Sequence, residues 1–245
     1  LAQRRGTITE VLHAPSSIDT VFQPIVCLTT GRTVGFEALS RFRAQPERTP
    51  DRWIAEAHAV GLGLEVEVEC VRRAFRLRGS LPGDAYMSVN MSPDAVLSPE
   101  MESVLGGGSL EGLVIEITER TAIKDYPNFR GRLDAFRRAG FRFAVDDAGS
   151  GYAGLGSIAN LEPDFIKLDM SLINCIDTNF IKQNLVESMV KFANDHGAQV
   201  IAEGVERAEE FETVKGLGVH LVQGFYLHRP AMATVGGGEE EKRSC

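Results

Sequence analysis

Between Thr20 and Pro230, short apolar runs rich in Val, Ile and Phe alternate with longer amphipathic stretches. This switching between a period of two and a period of 3.6 constrains the chain more than any other feature. It calls for β/α units on a parallel sheet. Eight runs read as strands: Val21–Cys27, Val34–Phe42, Ala85–Met91, Leu113–Thr118, Phe141–Val145, Phe165–Leu168, Gln199–Ala202 and His220–Gln223. Helical periodicity covers Asp51–Val60, Leu64–Leu77, Pro93–Leu105, Phe129–Ala139, Phe180–Asp195 and Arg207–Leu217. Eight strands with intervening helices predict an α/β fold, a closed (β/α)8 TIM-like barrel that forms one domain at about 250 residues. The 245 residues, 43% of them hydrophobic, supply one such core.

The first connection departs from a regular barrel. Leu28–Thr33, with Gly31 inside it, is too short for a crossover helix, so strands one and two are expected as an antiparallel hairpin. Residues 1–17 read as an N-terminal flank, 18–231 as the barrel, and Met232–Cys245, Gly-rich and then charged, as a flexible tail. No internal repeat of fixed period is present.

Charge and cysteine usage narrow the function. Lys plus Arg number 26 against 34 Asp plus Glu, a net charge of −8, which argues against non-specific binding to DNA or RNA. An acidic chain still takes a phosphate substrate where its carboxylates hold divalent cations. Cys27, Cys70, Cys175 and Cys245 are scattered without a C-x-x-C pair, indicating neither a disulfide scaffold nor a zinc–thiolate site. With no apolar run near the ~20 residues of a membrane span and no signal peptide, the expected location is the cytoplasm. The chain starts without Met, so an excised domain of a longer protein that carries membrane or sensor segments is expected.

Strand side chains alternate faces, and a polar residue recurs near the C-terminal end of strand after strand. Glu116 opposes Leu113, Ile115 and Ile117; Asp146 opposes Phe143 and Val145; Ser88 and Asn90 oppose Met87, Val89 and Met91; Glu37 shares a face with Leu39 and Arg41. In a (β/α)8 barrel these ends meet at one mouth, where active sites of the fold lie. Glu37, Asn90, Glu116, Asp146, Asp147, Lys167, Glu203 and Gln223 are then expected together. A lone Glu at a strand end is ordinarily a solvated edge or a helix cap. Five carboxylates from four strands are different, because like charges at close range cannot all stay ionised without cations. The donors are all oxygen, which selects Mg²⁺ or Mn²⁺ over zinc or copper. The Asp146–Asp147 pair can bridge two ions ~3.5–4 Å apart, the clamp for an in-line phosphoryl displacement.

These segments resemble the EAL-domain family of cyclic-di-GMP phosphodiesterases. Gln23-Pro24-Ile25-Val26, Glu37-Ala38-Leu39-Ser40-Arg41, Ser88-Val89-Asn90, Glu116-Ile117-Thr118-Glu119, Asp146-Asp147 through Gly151-Tyr152, Lys167-Leu168-Asp169, Ala202-Glu203-Gly204-Val205-Glu206 and Gln223-Gly224-Phe225 follow in family order across Ile18 to Pro230. The resemblance implies a barrel with an antiparallel first strand. It implies Glu37, Asn90, Glu116 and Asp146 as metal ligands, Asp147 on a second ion, and Glu203 as general base or ligand. Lys167 is implied beside the attacking water, and Gln23, Arg41, Gln223 and Asp169 along the substrate. Glu119 and Glu206 are implied to hold the loop after Asp147, where Ala148 and Ser150 replace the family's Phe and Thr and put the loop's coupling to activity or dimerisation in question.

The function so implied is hydrolysis of cyclic-di-GMP to linear pGpG in bacterial second-messenger signalling, by in-line attack of a metal-activated water, in a chain expected to form homodimers. The alternative is a weak or inactive cyclic-di-GMP receptor. A lyase-like barrel using Lys167 as base or Schiff-base nucleophile is a more remote third reading. Other features are expected to be plain. His58, His196 and His220 read as surface or packing residues, and Trp53 as packed on the barrel. Glu65, Glu67 and Glu69 read as the wet side of a helix, and Arg72-Arg73 and Arg137-Arg138 as solvated faces.

Overall fold

Strands β1 (Ile18–Cys27), β2 (Thr33–Phe42), β3 (Tyr86–Met91), β4 (Leu113–Ile117), β5 (Arg142–Ala148), β6 (Phe165–Leu168), β7 (Gln199–Ala202) and β8 (Leu221–Val222) close into a single barrel in chain order. This computed structural model describes residues 2–14, 16–106, 110–117, 123, 125–149 and 160–233. The tail expected over Met232–Cys245 therefore lies, from residue 234 onward, outside the described residues. β1 runs antiparallel to both its neighbours, β2 and β8, and the remaining pairs are parallel. The hairpin follows from its short loop: Gly31 sits at φ +68°, its N–H reaches the Cys27 carbonyl at 2.8 Å, and Cys27 N–H reaches the Arg32 carbonyl at 2.9 Å.

Helices α1 (Ala2–His13), α2 (Pro50–Ala59), α3 (Gly63–Leu77), α4 (Pro93–Leu97), α5 (Pro99–Leu105), α6 (Tyr126–Arg138), α7 (Met170–Ile173), α8 (Phe180–His196) and α9 (Ala208–Gly216) accompany the strands. The outward strand residues Met87, Val89, Leu113, Ile115, Phe143, Val145, Ile166 and Val200 are buried in one apolar shell with residues of α3, α6 and α8. The single helix expected over Pro93–Leu105 is two. Pro99 forces Ser98 out of helical conformation (φ −77°, ψ 141°), and the Ser98 hydroxyl then caps the second helix through Met101 N–H at 3.1 Å.

α1 arises where no element was expected, its mixed sequence giving little periodic signal. It buries Ile8 and Val11 against Trp53, Ala57 and Val66 of α2 and α3, and Arg5 Nη1 donates to the Val60 carbonyl at 2.6 Å. Trp53 is 0% exposed and stacks on Phe42 at 5.7 Å, as packing predicts. Two arginines expected in solvent are tied down instead. Arg73 bonds Glu69 at 2.8 Å and the Ile18 carbonyl at 2.5 Å, while Arg137 lies over Phe143 at 5.3 Å and donates to the Leu161 carbonyl at 2.6 Å. Long basic side chains lay their stems on apolar surface and reach carbonyls that helix periodicity does not reveal.

Glu210 of α9 holds two mouth-side loops together. It accepts from Cys175 N–H at 2.9 Å, from Glu206 N–H at 3.1 Å and from Arg207 N–H at 3.2 Å. Burial raises its pKa, but these N–H groups and the Arg207 guanidinium outweigh that and hold the carboxyl below the usual range. A depressed folded-state pKa stabilises above the unfolded value, and the effect fades as pH falls through the folded one. Glu210→Gln is expected to cost about 1–3 kcal/mol at pH 7 and to flatten the loss of stability below about pH 4.5. Urea unfolding at pH 7 and pH 4 checks both, and an unchanged acid slope would show that Glu210 does not carry it.

Candidate active site

The site is the second storey of the barrel. Ile25, Tyr86, Val114, Ala144, Phe165, Ile201 and Leu221 fill the lower storey. On β2 that storey holds Gly35, where a Cβ would sit 2.4 Å from the Tyr86 ring; the missing side chain is what admits the tyrosine. The next inward position on each strand, two residues nearer the mouth, is polar all the way round: Gln23, Glu37, Ser88, Glu116, Asp146, Lys167, Glu203 and Gln223. Asn90 stands one inward position higher on β3, in register with Glu116.

Lys167, 1% exposed, is the hub of this ring. Its Nζ lies 2.5 Å from Glu116 Oε2, 2.6 Å from Glu203 Oε1, 3.1 Å from Asp146 Oδ1 and 3.5 Å from Glu37 Oε2. Glu37 accepts from Asn90 Nδ2 at 2.8 Å on one oxygen and from Gln223 Nε2 at 2.7 Å on the other. Gln223 Nε2 also meets Gln23 Oε1 at 3.1 Å, and Gln23 Nε2 donates to the His228 carbonyl at 3.2 Å.

One ammonium among several carboxylates over an apolar floor splits their proton affinities. Burial raises the Glu37 carboxyl, but Lys167 and the bonds from Gln223 and Asn90 carry it below its ordinary value. Glu116 is pushed up to about 8, by burial first and then by the Glu37 charge. Burial likewise lifts Glu203 well above the carboxylate range; Lys167 opposes this, and Asp146, Glu37 and Glu116 add to it. Burial alone lowers Lys167, yet Asp146, Glu116, Glu203 and Glu37 raise it well above its ordinary value. These carboxylates favour the charged ammonium, the opposite of the neutral amine that a Schiff-base nucleophile requires.

Alternation along β5 would turn Asp147 away from Asp146. A β-bulge overrides it: pairing with β6 jumps from Val145↔Ile166 to Ala148↔Leu168, and Asp147 takes φ +56°. A bulge re-aims side chains next to active sites, and Asp accepts the left-handed conformation better than most residues. Oxygens of Asp146, Asp147 and Glu203 consequently lie within 4.8 Å of one another.

This oxygen-only set fits Mg²⁺ or Mn²⁺. Asp146 Oδ1 is buried without a hydrogen bond, its contact with Lys167 being an ion pair outside hydrogen-bond geometry. An orphaned carboxylate oxygen beside two more carboxylates is what a hard cation satisfies. Above the ring opens a cleft of about 600 Å³, with Arg41, Asn90, Asp146 and Asp147 on one side and Asp51 and Ile54 of α2 on the other.

The structure thus brings together Gln23, Glu37, Asn90, Glu116, Asp146, Asp147, Lys167, Glu203 and Gln223, with Arg41 on the cleft wall. Asp169 lies just past β6, where its Oδ1 accepts from Ser171 N–H at 2.9 Å and caps α7. Glu206 is exposed, and its backbone N–H is what meets Glu210. Glu119, Ser150, Gly151 and Tyr152 lie outside the described residues. Ala148 is 0% exposed, and its carbonyl accepts from Asp169 N–H at 3.2 Å, so the strand stays paired there without the larger side chain. Glu67 was expected in water. It is 7% exposed and bonded to His58 and Ser92. The signal that places it inside is the stripe Gly63, Glu67, Val71, Ala74, spaced four, four and three residues along α3.

Comparison with known proteins agrees with this geometry. The EAL domain family model matches residues 9–230. Cyclic di-GMP phosphodiesterase PdeL of Escherichia coli (strain K12) is 31% identical over an alignment of 222 positions that covers 85% of this chain and 60% of PdeL. Klebsiella pneumoniae BlrP1, solved at pH 6 as a manganese/cyclic-di-GMP complex, has a TM-score of 0.78 at 33% identity, covering 91% of this chain and 58% of that one. The chain therefore spans about 60% of the length of these relatives. The Xanthomonas citri FimX EAL domain in complex with cyclic-di-GMP, TM-score 0.81 over 94% of each chain, is 22% identical and shares the fold. Because the family model runs from within α1 to the segment beyond β8 and takes in the whole polar ring, the chain belongs to the EAL domain family.

Proposed function

We propose that the chain is a cyclic-di-GMP phosphodiesterase that uses Mg²⁺ or Mn²⁺ to open one phosphodiester bond and release linear pGpG. The observation that carries this reading is the polar ring, in which every metal-ligand position matched to the family is occupied and aimed at one mouth. When bound, the cations supply Lewis acidity, drawing charge from the scissile phosphate and acidifying the attacking water. The guanidinium of Arg41 faces the phosphate in the cleft, while Gln23 and Gln223 form the polar wall along a guanine.

Lys167 and Glu203 touch directly, at 2.6 Å, and together form one polar wall beside which the attacking water is oriented. Glu203, ionised where bound cations offset the charge of its neighbouring carboxylates, would take the water proton as the new P–O bond forms. The P–O3′ bond breaks on the opposite side, and the 3′-oxygen leaves and takes a proton from solvent in the open cleft. A homodimer is part of the same reading, supported by Phe180, Ile181 and Leu185, which stand 72%, 73% and 50% exposed at the start of α8. So is a cytoplasmic location, supported by the fact that no described helix is long and apolar enough to cross a membrane.

Incubation with cyclic-di-GMP and Mn²⁺, followed by ion-pair chromatography, is expected to yield pGpG that is absent with EDTA. Intact nucleotide held tightly by the protein would replace the enzyme with a receptor. No binding at all would remove the substrate assignment.

A further inference from the structure

One buried carboxylate takes no part in the ring. Glu67, in the middle of α3, accepts from Ser92 N–H through Oε2 at 2.9 Å, and its Oε1 lies 2.7 Å from His58 Nε2. Burying a carboxyl group is costly unless its oxygens are satisfied, and here each oxygen has a partner, Ser92 N–H on one and, with His58 in its Nε2–H tautomer, the imidazole on the other. The seat of the imidazole is built into the sequence. A Cβ on Gly63 would stand 2.2 Å from His58 Nδ1 and 2.4 Å from its Cγ, so the ring lies flat where only glycine leaves room.

These contacts join three walls of the cleft: α2 through His58, α3 through Glu67, and the end of β3 through Ser92, all of which line it. Ser92 is two residues past Asn90, whose Nδ2 holds Glu37 Oε1 at 2.8 Å. Beyond Asn90 the β3–β4 ladder has one further pair, Met91↔Ile117. Ser92 N–H then goes to Glu67, while the Ser92 hydroxyl accepts from Ala95 N–H at 3.2 Å to start α4. The direction in which Asn90 leaves the sheet is therefore set by the ladder below it and by Glu67 above it.

We propose that Glu67 is a positioning residue for the divalent-cation site: by gripping Ser92 N–H it fixes the end of β3 that presents Asn90, and His58, seated on Gly63, fixes Glu67. The inference rests on the metal-dependent reading of the ring. Groups that orient a metal ligand without touching the metal are typically worth ~10–100-fold in metal affinity. A purely structural Glu67 would change the melting temperature and leave metal affinity alone.

Titration of the protein with Mn²⁺, following the free-ion signal by electron paramagnetic resonance, separates the two, with melting in EDTA alongside. Glu67→Ala is expected to raise the half-saturating Mn²⁺ concentration ~10–100-fold, with turnover of cyclic-di-GMP recovering at high Mn²⁺. Glu67→Gln, whose side-chain oxygen still accepts from Ser92 N–H while His58 in its Nδ1–H tautomer accepts the new NH₂ at Nε2, is expected close to wild type. Gly63→Ala, which drives the imidazole off Glu67, is expected to shift in the same direction by a smaller factor.

A folded Glu67→Ala protein that takes up Mn²⁺ like wild type overturns the proposal. Should Glu67→Ala not fold, Gly63→Ala titrating as wild type overturns it instead. Failure of the underlying reading looks different, because wild type itself would then show no Mn²⁺ uptake that Glu37→Gln removes.

Discussion

Lys167→Met is expected to leave a folded chain that lacks the proposed phosphodiesterase activity and whose stability falls as pH rises. Met matches the lysine stem in length and apolar character, so the barrel stays filled while the charge goes. What remains is a group of carboxylates, Glu37, Glu116 and Asp146 buried and Glu203 half-buried, that each lay within 3.5 Å of the lost ammonium. Removing one partner of a buried ion cluster costs about 3–5 kcal/mol, which at this chain length is a fall of roughly 6–20 °C in melting temperature.

The sign of the pH effect follows from the protons. Burial and mutual repulsion already hold the Glu116 and Glu203 carboxyls above their ordinary values, and losing the ammonium raises them further, so they cost nothing while protonated in both states. The penalty grows as pH climbs from the unfolded values towards the folded ones. Melting in EDTA at pH 5, 6.5 and 8 is expected to show a small deficit against wild type at pH 5 and a large one at pH 8, narrowed by added Mn²⁺. An equal deficit at every pH would mean that Lys167 acts by packing and not by charge.

Glu37→Gln is the second large effect, and its cause is a conflict of donors. One carboxylate oxygen receives Asn90 Nδ2 and the other receives Gln223 Nε2. Whichever way the new amide is turned, its own NH₂ faces another donor. The substitution also removes a negative charge from the ring and one oxygen from the ligand set. Turnover of cyclic-di-GMP is expected to fall by more than the ~100-fold upper range for groups that only orient a ligand. Mn²⁺ uptake should weaken with it, and the fold should survive because Lys167 keeps three carboxylates. Turnover within tenfold of wild type at saturating Mn²⁺ would take Glu37 out of the ligand set.

The parts of this molecule that were legible from sequence are those governed by strict periodicity. The two-residue repeat placed Glu37, Glu116 and Asp146 on the inner face of their strands, and the brevity of Leu28–Thr33 required the hairpin. Asp147 lies beyond that rule, because its presence in the mouth depends on a bulge that breaks the alternation used to read β5. Glu67 was misread because its neighbours at two-residue spacing are acidic, whereas a helix groups residues three and four apart. Arg137 was misread because the ring and carbonyls that hold it belong to segments distant in sequence. α1 left little trace for the opposite reason: its helicity depends on the groove between α2 and α3 that receives Ile8 and Val11, and not on its own pattern.

The reversed direction of β1 decides which end of the barrel the chain's neighbours meet. In a ring of eight parallel strands the polypeptide enters through the closed end, away from the chemistry. Here Ile18, the first residue of β1, pairs with Phe42 at the mouth end of β2, and the stretch leaving β8 returns to pair Ala231 with Phe22. Both approaches to the domain therefore open on the reaction face. A segment attached ahead of α1 is separated from that face by one helix about 18 Å long, whose inner side rests on the helices that wall the cleft. Traffic between such a neighbour and the cleft can run along the rim, and the packed interior need not move.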